Sequence, residues 1–221
     1  MSFERTDEAP ARGFCVLESV PTTIEPDSRS QFSDWCKSHS LYGLYRKAGR
    51  VTAMNAEGNV TLAGFMGAGK SETGLRVADA LGFEFYDMDK ILAERHGPID
   101  AMFKKHGEHY FRGLESALLR ELLAMKGVVI STGGGALIEQ SNCNVAREKS
   151  TVVWLKVDYD IAVSRIRNDK AGIKRPNADN RMFERFNFRQ RPYERAAHVT
   201  VNANDPLNEV VANILRELEH V

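Results

Sequence analysis

From residue 59 onward, apolar residues fall into short runs separated by stretches with helical spacing. The runs at 60–64, 84–87, 128–132, 152–157 and 199–202 predict five strands. Between them, residues 70–81 and 158–168 predict helices, as do 113–125, where Leu114, Leu118, Leu122 and Met125 share one stripe. The last helix has the fullest pattern: Leu207, Val210, Val211, Ile214, Leu215 and Leu218 recur at i, i+3, i+4, i+7, i+8 and i+11. Asp205 and Pro206 suit its N-cap and first turn. Strands alternating with helices predict an α/β fold with a parallel sheet covered on both faces.

Residues 1–56 break this pattern. They carry Pro10, Pro21 and Pro26 among scattered charges, and only residues 32–49 hold enough aromatics to dock on anything. They predict a poorly ordered extension ahead of a domain at 57–221. Met54, just before the first strand, suggests that translation starts there. A second interruption is the polar stretch 167–181, broken by Gly172 and Pro176. It reads either as a mobile lid or as a surface insertion.

The chemistry begins where the first strand meets the first helix. Gly64-Phe-Met-Gly67-Ala-Gly69-Lys70-Ser71 fits the pattern GxxxxGK[ST]. Glycines let successive N–H groups curl inward, and the helix starting near Lys70 adds its positive end, a combination that holds polyphosphate. Lys70 reaches the outer phosphates, and the Ser71 hydroxyl is a ligand for Mg²⁺. The plain alternative is a glycine-rich turn with no ligand. This signal says nothing about what receives the phosphate.

Three later segments bear on the acceptor. Asp87 and Asp89 close the second strand two residues apart, so on an extended backbone both face one side. One carboxylate suits Mg²⁺ through water and the other an attacking hydroxyl, unless Asp89 only caps the helix beginning at Lys90. Arg112 and Glu115 stand at i and i+3, a spacing that fits either an ordinary surface pair or a carboxylate holding an arginine in one rotamer. Ser131-Thr-Gly133-Gly134-Gly135-Ala136 puts three glycines after a strand, where a ligand can approach backbone closely or the chain merely turns.

Composition narrows the partners. Lys and Arg total 30, as do Asp and Glu, and the net charge of zero gives no reason to expect nucleic acid or a membrane surface. Three cysteines, with no CxxC pair, fit neither a disulfide framework nor a zinc site. A cytoplasmic protein is expected, and a monomer. His106 and His109 stand at i and i+3 with no further ligand in view and read as surface residues.

Taken in order and spacing, GFMGAGKS, DMD, FRGLE and STGGGA resemble the shikimate kinases, over about residues 59–220. The resemblance implies a three-layer, nucleoside monophosphate kinase-like fold with a five-stranded parallel sheet ordered 2-3-1-4-5. It implies transfer of the ATP γ-phosphoryl to the 3-hydroxyl of shikimate, on the way to chorismate and aromatic amino acids. By the same resemblance Gly67, Ala68, Gly69, Lys70, Ser71 and Glu72 hold the nucleotide, with Asp87 linked to Mg²⁺ beside Ser71. Asp89, Gly134 and Gly135 contact the acceptor ring, and Arg112 grips its carboxylate. Two regions depart from the pattern. The lid reads Arg175-Pro176-Asn177, keeping the charge of Arg175 but not the apolar anchor. The second carboxylate arginine is Arg189 when counted from Tyr193, with Arg191 as the alternative, and Arg167 is the candidate to stack on adenine. Other readings are a different small-molecule kinase, such as a gluconate kinase-like enzyme, or a nucleotide-binding regulatory domain without transfer.

Overall fold

The computed structural model describes residues 58–168 and 181–221. The expected extension over 1–56, the start at Met54 and Arg175, with most of the 167–181 stretch, lie outside the described residues.

Five parallel strands form one sheet: β1 Asn59–Ala63, β2 Glu84–Asp87, β3 Val128–Ser131, β4 Ser150–Lys156 and β5 Val199–Asn202, in the order β2-β3-β1-β4-β5. This is the expected order of the three-layer α/β P-loop kinase fold. β1 is buried along its whole length, pairing Leu62 with Ser131 on one side and with Val153 on the other. Strands covered on both faces read as apolar runs, which is why β1, β3 and β4 stood out in the sequence. Asn59 anchors the lower end of β1: its Nδ2 donates to Met125 O at 2.7 Å and its Oδ1 accepts from Val128 N at 3.3 Å.

Seven helices are described: α1 Lys70–Leu81, α2 Met88–His96, α3 Ile99–Leu123, α4 Gln140–Lys149, α5 Tyr159–Arg167, α6 Met182–Ala196 and α7 Leu207–Leu218. Several differ from expectation. α3 starts well before residue 113 and consists of two arms meeting at Gly107, whose φ is 82°. The N-cap of α7 is Pro206; Asp205 accepts from Asn202 Nδ2 at 3.0 Å instead. α4 and α6 escaped the periodicity reading because α4 buries little beyond Asn142, Cys143 and Ala146, and α6 contains Pro192. Among the described residues no helix is long and apolar enough to cross a membrane.

All strands run the same way, so the loops after β1, β2 and β3 open at one edge of the sheet. That edge carries Gly64–Gly69, Asp87 and Gly133–Gly135, where parallel sheets build ligand crevices.

Candidate active site

The loop after β1 owes its shape to glycine. Gly67 has φ 81°, and a Cβ there would come 2.5 Å from the carbonyl oxygen of Ala162 on α5. Gly69, at φ 85°, is the N-cap of α1 and offers no side-chain hydrogen bond to the first-turn N–H groups. Helix N-terminal donors of this kind suit an anion at the positive end of the helix. Lys70 folds back over the loop, its Nζ donating to Gly64 O at 2.9 Å and Phe65 O at 3.1 Å.

The aspartates do not share an extended segment. α2 begins at Met88, so Asp87 ends β2 and Asp89 lies in the first turn of the helix. It is Asp87 that caps α2: its Oδ1 accepts from Lys90 N at 3.2 Å. Its Oδ2 accepts from the Ser71 hydroxyl, bringing two hard oxygens together beside Lys70. Asp89 faces the cleft instead, its Oδ1 2.8 Å from where a Cβ on Gly133 would sit.

The pair Arg112–Glu115 is not an ordinary surface pair. Glu115 is 1% exposed and accepts from Arg112 Nη1, while Glu108 Oε1 accepts from Arg112 Nη2 at 2.9 Å. Burial pushes the Glu115 carboxyl up to about 7; the Arg112 guanidinium opposes this, and the Asp89 charge adds to it. Arg112 also lies over Phe111, 5.5 Å from the ring centroid, and its guanidinium occupies the space a side chain on Gly135 would need. Arg189 on α6 is buried, with its Cζ 5.7 Å from the Phe65 centroid, and closes on Gly134 from the opposite helix.

Both sets line one cleft of about 1070 Å³, above the usual range for a single small ligand and enough for two side by side. The residues expected at the site that line it are Gly67, Ala68, Gly69, Lys70, Ser71, Glu72, Asp87, Asp89, Arg112, Gly134, Gly135 and Arg189. Arg191 is exposed and stands outside it. So does Arg167; the arginine of α5 that lines the cleft is Arg165, donating to Ala203 O at 2.8 Å. The sequence reading named Arg167 alone, two residues beyond Arg165 at the end of α5. It used Tyr193 only to place Arg189 and gave it no role of its own; the Tyr193 hydroxyl donates to Gly134 O at 2.6 Å. His106 and His109 are exposed, and among the described residues no cluster of three or more His, Cys, Asp or Glu is present.

Known proteins share both the fold and the sequence. The family model described as shikimate kinase matches residues 66–219. A shikimate kinase from Sulfurihydrogenibium is 33% identical over 163 residues, covering 73% of this chain and 98% of the relative. One from Actinobacillus pleuropneumoniae is 36% identical over 166 residues, covering 72% and 94%. Among solved structures, the shikimate kinase of Acinetobacter baumannii in complex with shikimate superposes with a TM-score of 0.68 at 30% identity, covering 73% of this chain and 93% of that one. That of Aquifex aeolicus superposes at 0.65 with 33% identity, covering 73% and 96%. On the extent of these matches, the chain belongs to the shikimate kinase family.

Proposed function

We propose that this protein transfers the γ-phosphoryl of ATP to the 3-hydroxyl of shikimate. The observation that carries the reading is one cleft whose lining includes both the Lys70 loop and the pair Arg112 and Arg189. Two guanidiniums suit a planar carboxylate, and Asp89 in the same lining suits a ring hydroxyl.

In this reading the loop N–H groups and Lys70 hold the outer phosphates, with Arg165 at the nucleotide end. Arg112, kept in one rotamer by Glu115, and Arg189 fix the acceptor's carboxylate. Gly134 and Gly135 let the ring come close to backbone. Asp89 orients the attacking hydroxyl and takes its proton as the new O–P bond forms and the bond to the ADP oxygen breaks. Positioning and charge neutralisation supply most of the acceleration.

The donor set at Ser71 and Asp87 fits Mg²⁺: two oxygen ligands already in contact, too few to cage a metal alone. Bound there, Mg²⁺ supplies neutralisation of phosphate charge. The cytoplasm, where ATP is available, is the compartment this function implies. A monomer suffices, since one chain lines both ends of the cleft.

The test is purified protein with ATP, Mg²⁺ and either shikimate or gluconate, followed by coupled ADP release. Turnover with shikimate is expected. Turnover with gluconate alone, or ATP binding without transfer to shikimate, overturns the reading.

A further inference from the structure

Tyr193 stands one helical turn beyond Arg189 on α6 and is 1% exposed. Its hydroxyl donates to the Gly134 carbonyl oxygen at 2.6 Å. Arg189 comes to the same glycine: a Cβ on Gly134 would lie 3.0 Å from Arg189 Nη1 and 3.7 Å from the Tyr193 oxygen. Residues i and i+4 on one helix face thus converge on the middle of the three-glycine turn.

A glycine turn has no side chains of its own to fix its backbone. This one is closed by bonds from Ala136 N to Gly133 O and from Ile138 N to Gly135 O, both 3.1 Å. Its far end is held by Asn142, whose Nδ2 donates to Ala136 O and to Ser116 Oγ, both at 2.9 Å. The Gly134–Gly135 peptide is addressed by Tyr193. A trans peptide is planar, so holding its carbonyl oxygen on one edge also sets the direction of the N–H on the other. The phenol ring itself packs near Trp154, with centroids 6.2 Å apart. Burial pushes the hydroxyl up to about 12, so it remains a proton donor across the neutral range.

We propose that Tyr193 is a positioning residue for the acceptor: its hydroxyl locks the Gly134 carbonyl to α6, so that the glycine turn and Arg189 meet the acceptor as one preformed surface. The proposal rests on the kinase reading above. Its reach is confined to the acceptor end, because Tyr193 bonds to the turn after β3 and the nucleotide is held by the loop after β1.

Tyr193→Phe removes the hydroxyl and keeps the ring. The expected result is a KM for shikimate raised about tenfold, the size of one buried hydrogen bond, with kcat changed less and the KM for ATP within about twofold. An unchanged KM for shikimate overturns the role of Tyr193 and leaves the kinase reading standing. Equal rises in both KM values also overturn it, since they indicate general loosening of the fold. A wild-type protein that does not phosphorylate shikimate overturns the kinase reading and this role with it. Should the phenylalanine variant fail to fold, wild-type protein labelled at tyrosine Cζ gives a second readout. The buried hydroxyl of Tyr193 should exchange slowly and its NMR signal should move when shikimate is added; a signal that stays fixed overturns the proposal.

Discussion

The guanidinium of Arg112 lies against the backbone of Gly135, where the Cβ of any other residue would occupy the same space. The guanidinium is held there from two further sides, by Glu115 and Glu108. Gly135→Ala must therefore push Arg112 out of its bonded position, a charged group that meets the acceptor's carboxylate in the proposed complex. A charge-assisted hydrogen bond contributes about 1.5–3 kcal/mol, so the KM for shikimate should rise roughly 10- to 100-fold. The KM for ATP should stay near the wild-type value. Steady-state kinetics with each substrate varied in turn checks both.

Glu115 gives the ligand-free protein a pH dependence of known sign. Its folded carboxyl titrates near 7, against an ordinary value of 4.5, and burial is the main cause. A raised acid is stabilising in its protonated form: that contribution is full below about 4.5 and is lost as pH rises through about 7. Glu115→Gln mimics the protonated form at every pH. Urea unfolding of wild type and variant at several pH values should show the variant gaining stability relative to wild type between about pH 5 and 8. A difference that is flat, or that slopes the other way, means that the pairing with Arg112 outweighs burial.

The sheet and the phosphate loop were legible because their signals are local. β1 reads as an apolar run because it is buried on both faces, and the loop reads as a motif because each glycine answers a backbone requirement within six residues. The acceptor pocket was half legible. Arg112 and Glu115 are separated by one helical turn, and spacing alone does not distinguish a surface pair from a buried one; what buries Glu115 is a glycine turn reached through β3, far along the chain. Arg165 rather than Arg167 faces the cleft because of where α5 sits against Gly67, a tertiary contact. The aspartates were found for a partly mistaken reason: Asp87 and Asp89 come to one cleft although the chain turns helical between them.

Asn59 tests the frame apart from the chemistry. It is 5% exposed at the start of β1, the end away from the phosphate loop, and serves both Met125 O and Val128 N. Asn59→Ala leaves that acceptor and that donor without their bonds, a cost of about 2 kcal/mol. For a domain of this size the thermal midpoint should fall by about 4–8 °C. Turnover at 25 °C should be unaffected, because the loop hangs from the opposite end of the strand. Scanning calorimetry together with kinetics at 25 °C checks the pair of outcomes.

Lys70 separates transfer from mere nucleotide binding. Its Nζ bonds to the carbonyls of Gly64 and Phe65, so it spans the mouth of the loop where the outer phosphates would lie. The backbone N–H groups at the start of α1 stay in place when the side chain changes, and they continue to attract a polyphosphate. Methionine has similar length and good helix propensity, so Lys70→Met should fold as the wild type does. What it loses is a fixed positive charge beside the phosphates, worth several kcal/mol to a transition state that spreads charge over the moving phosphoryl. Turnover should fall by about 10³-fold or more. Calorimetric affinity for ATP should fall much less, since the loop backbone still binds. A variant that keeps wild-type turnover removes Lys70 from the reaction and, with it, the link between this loop and phosphoryl transfer.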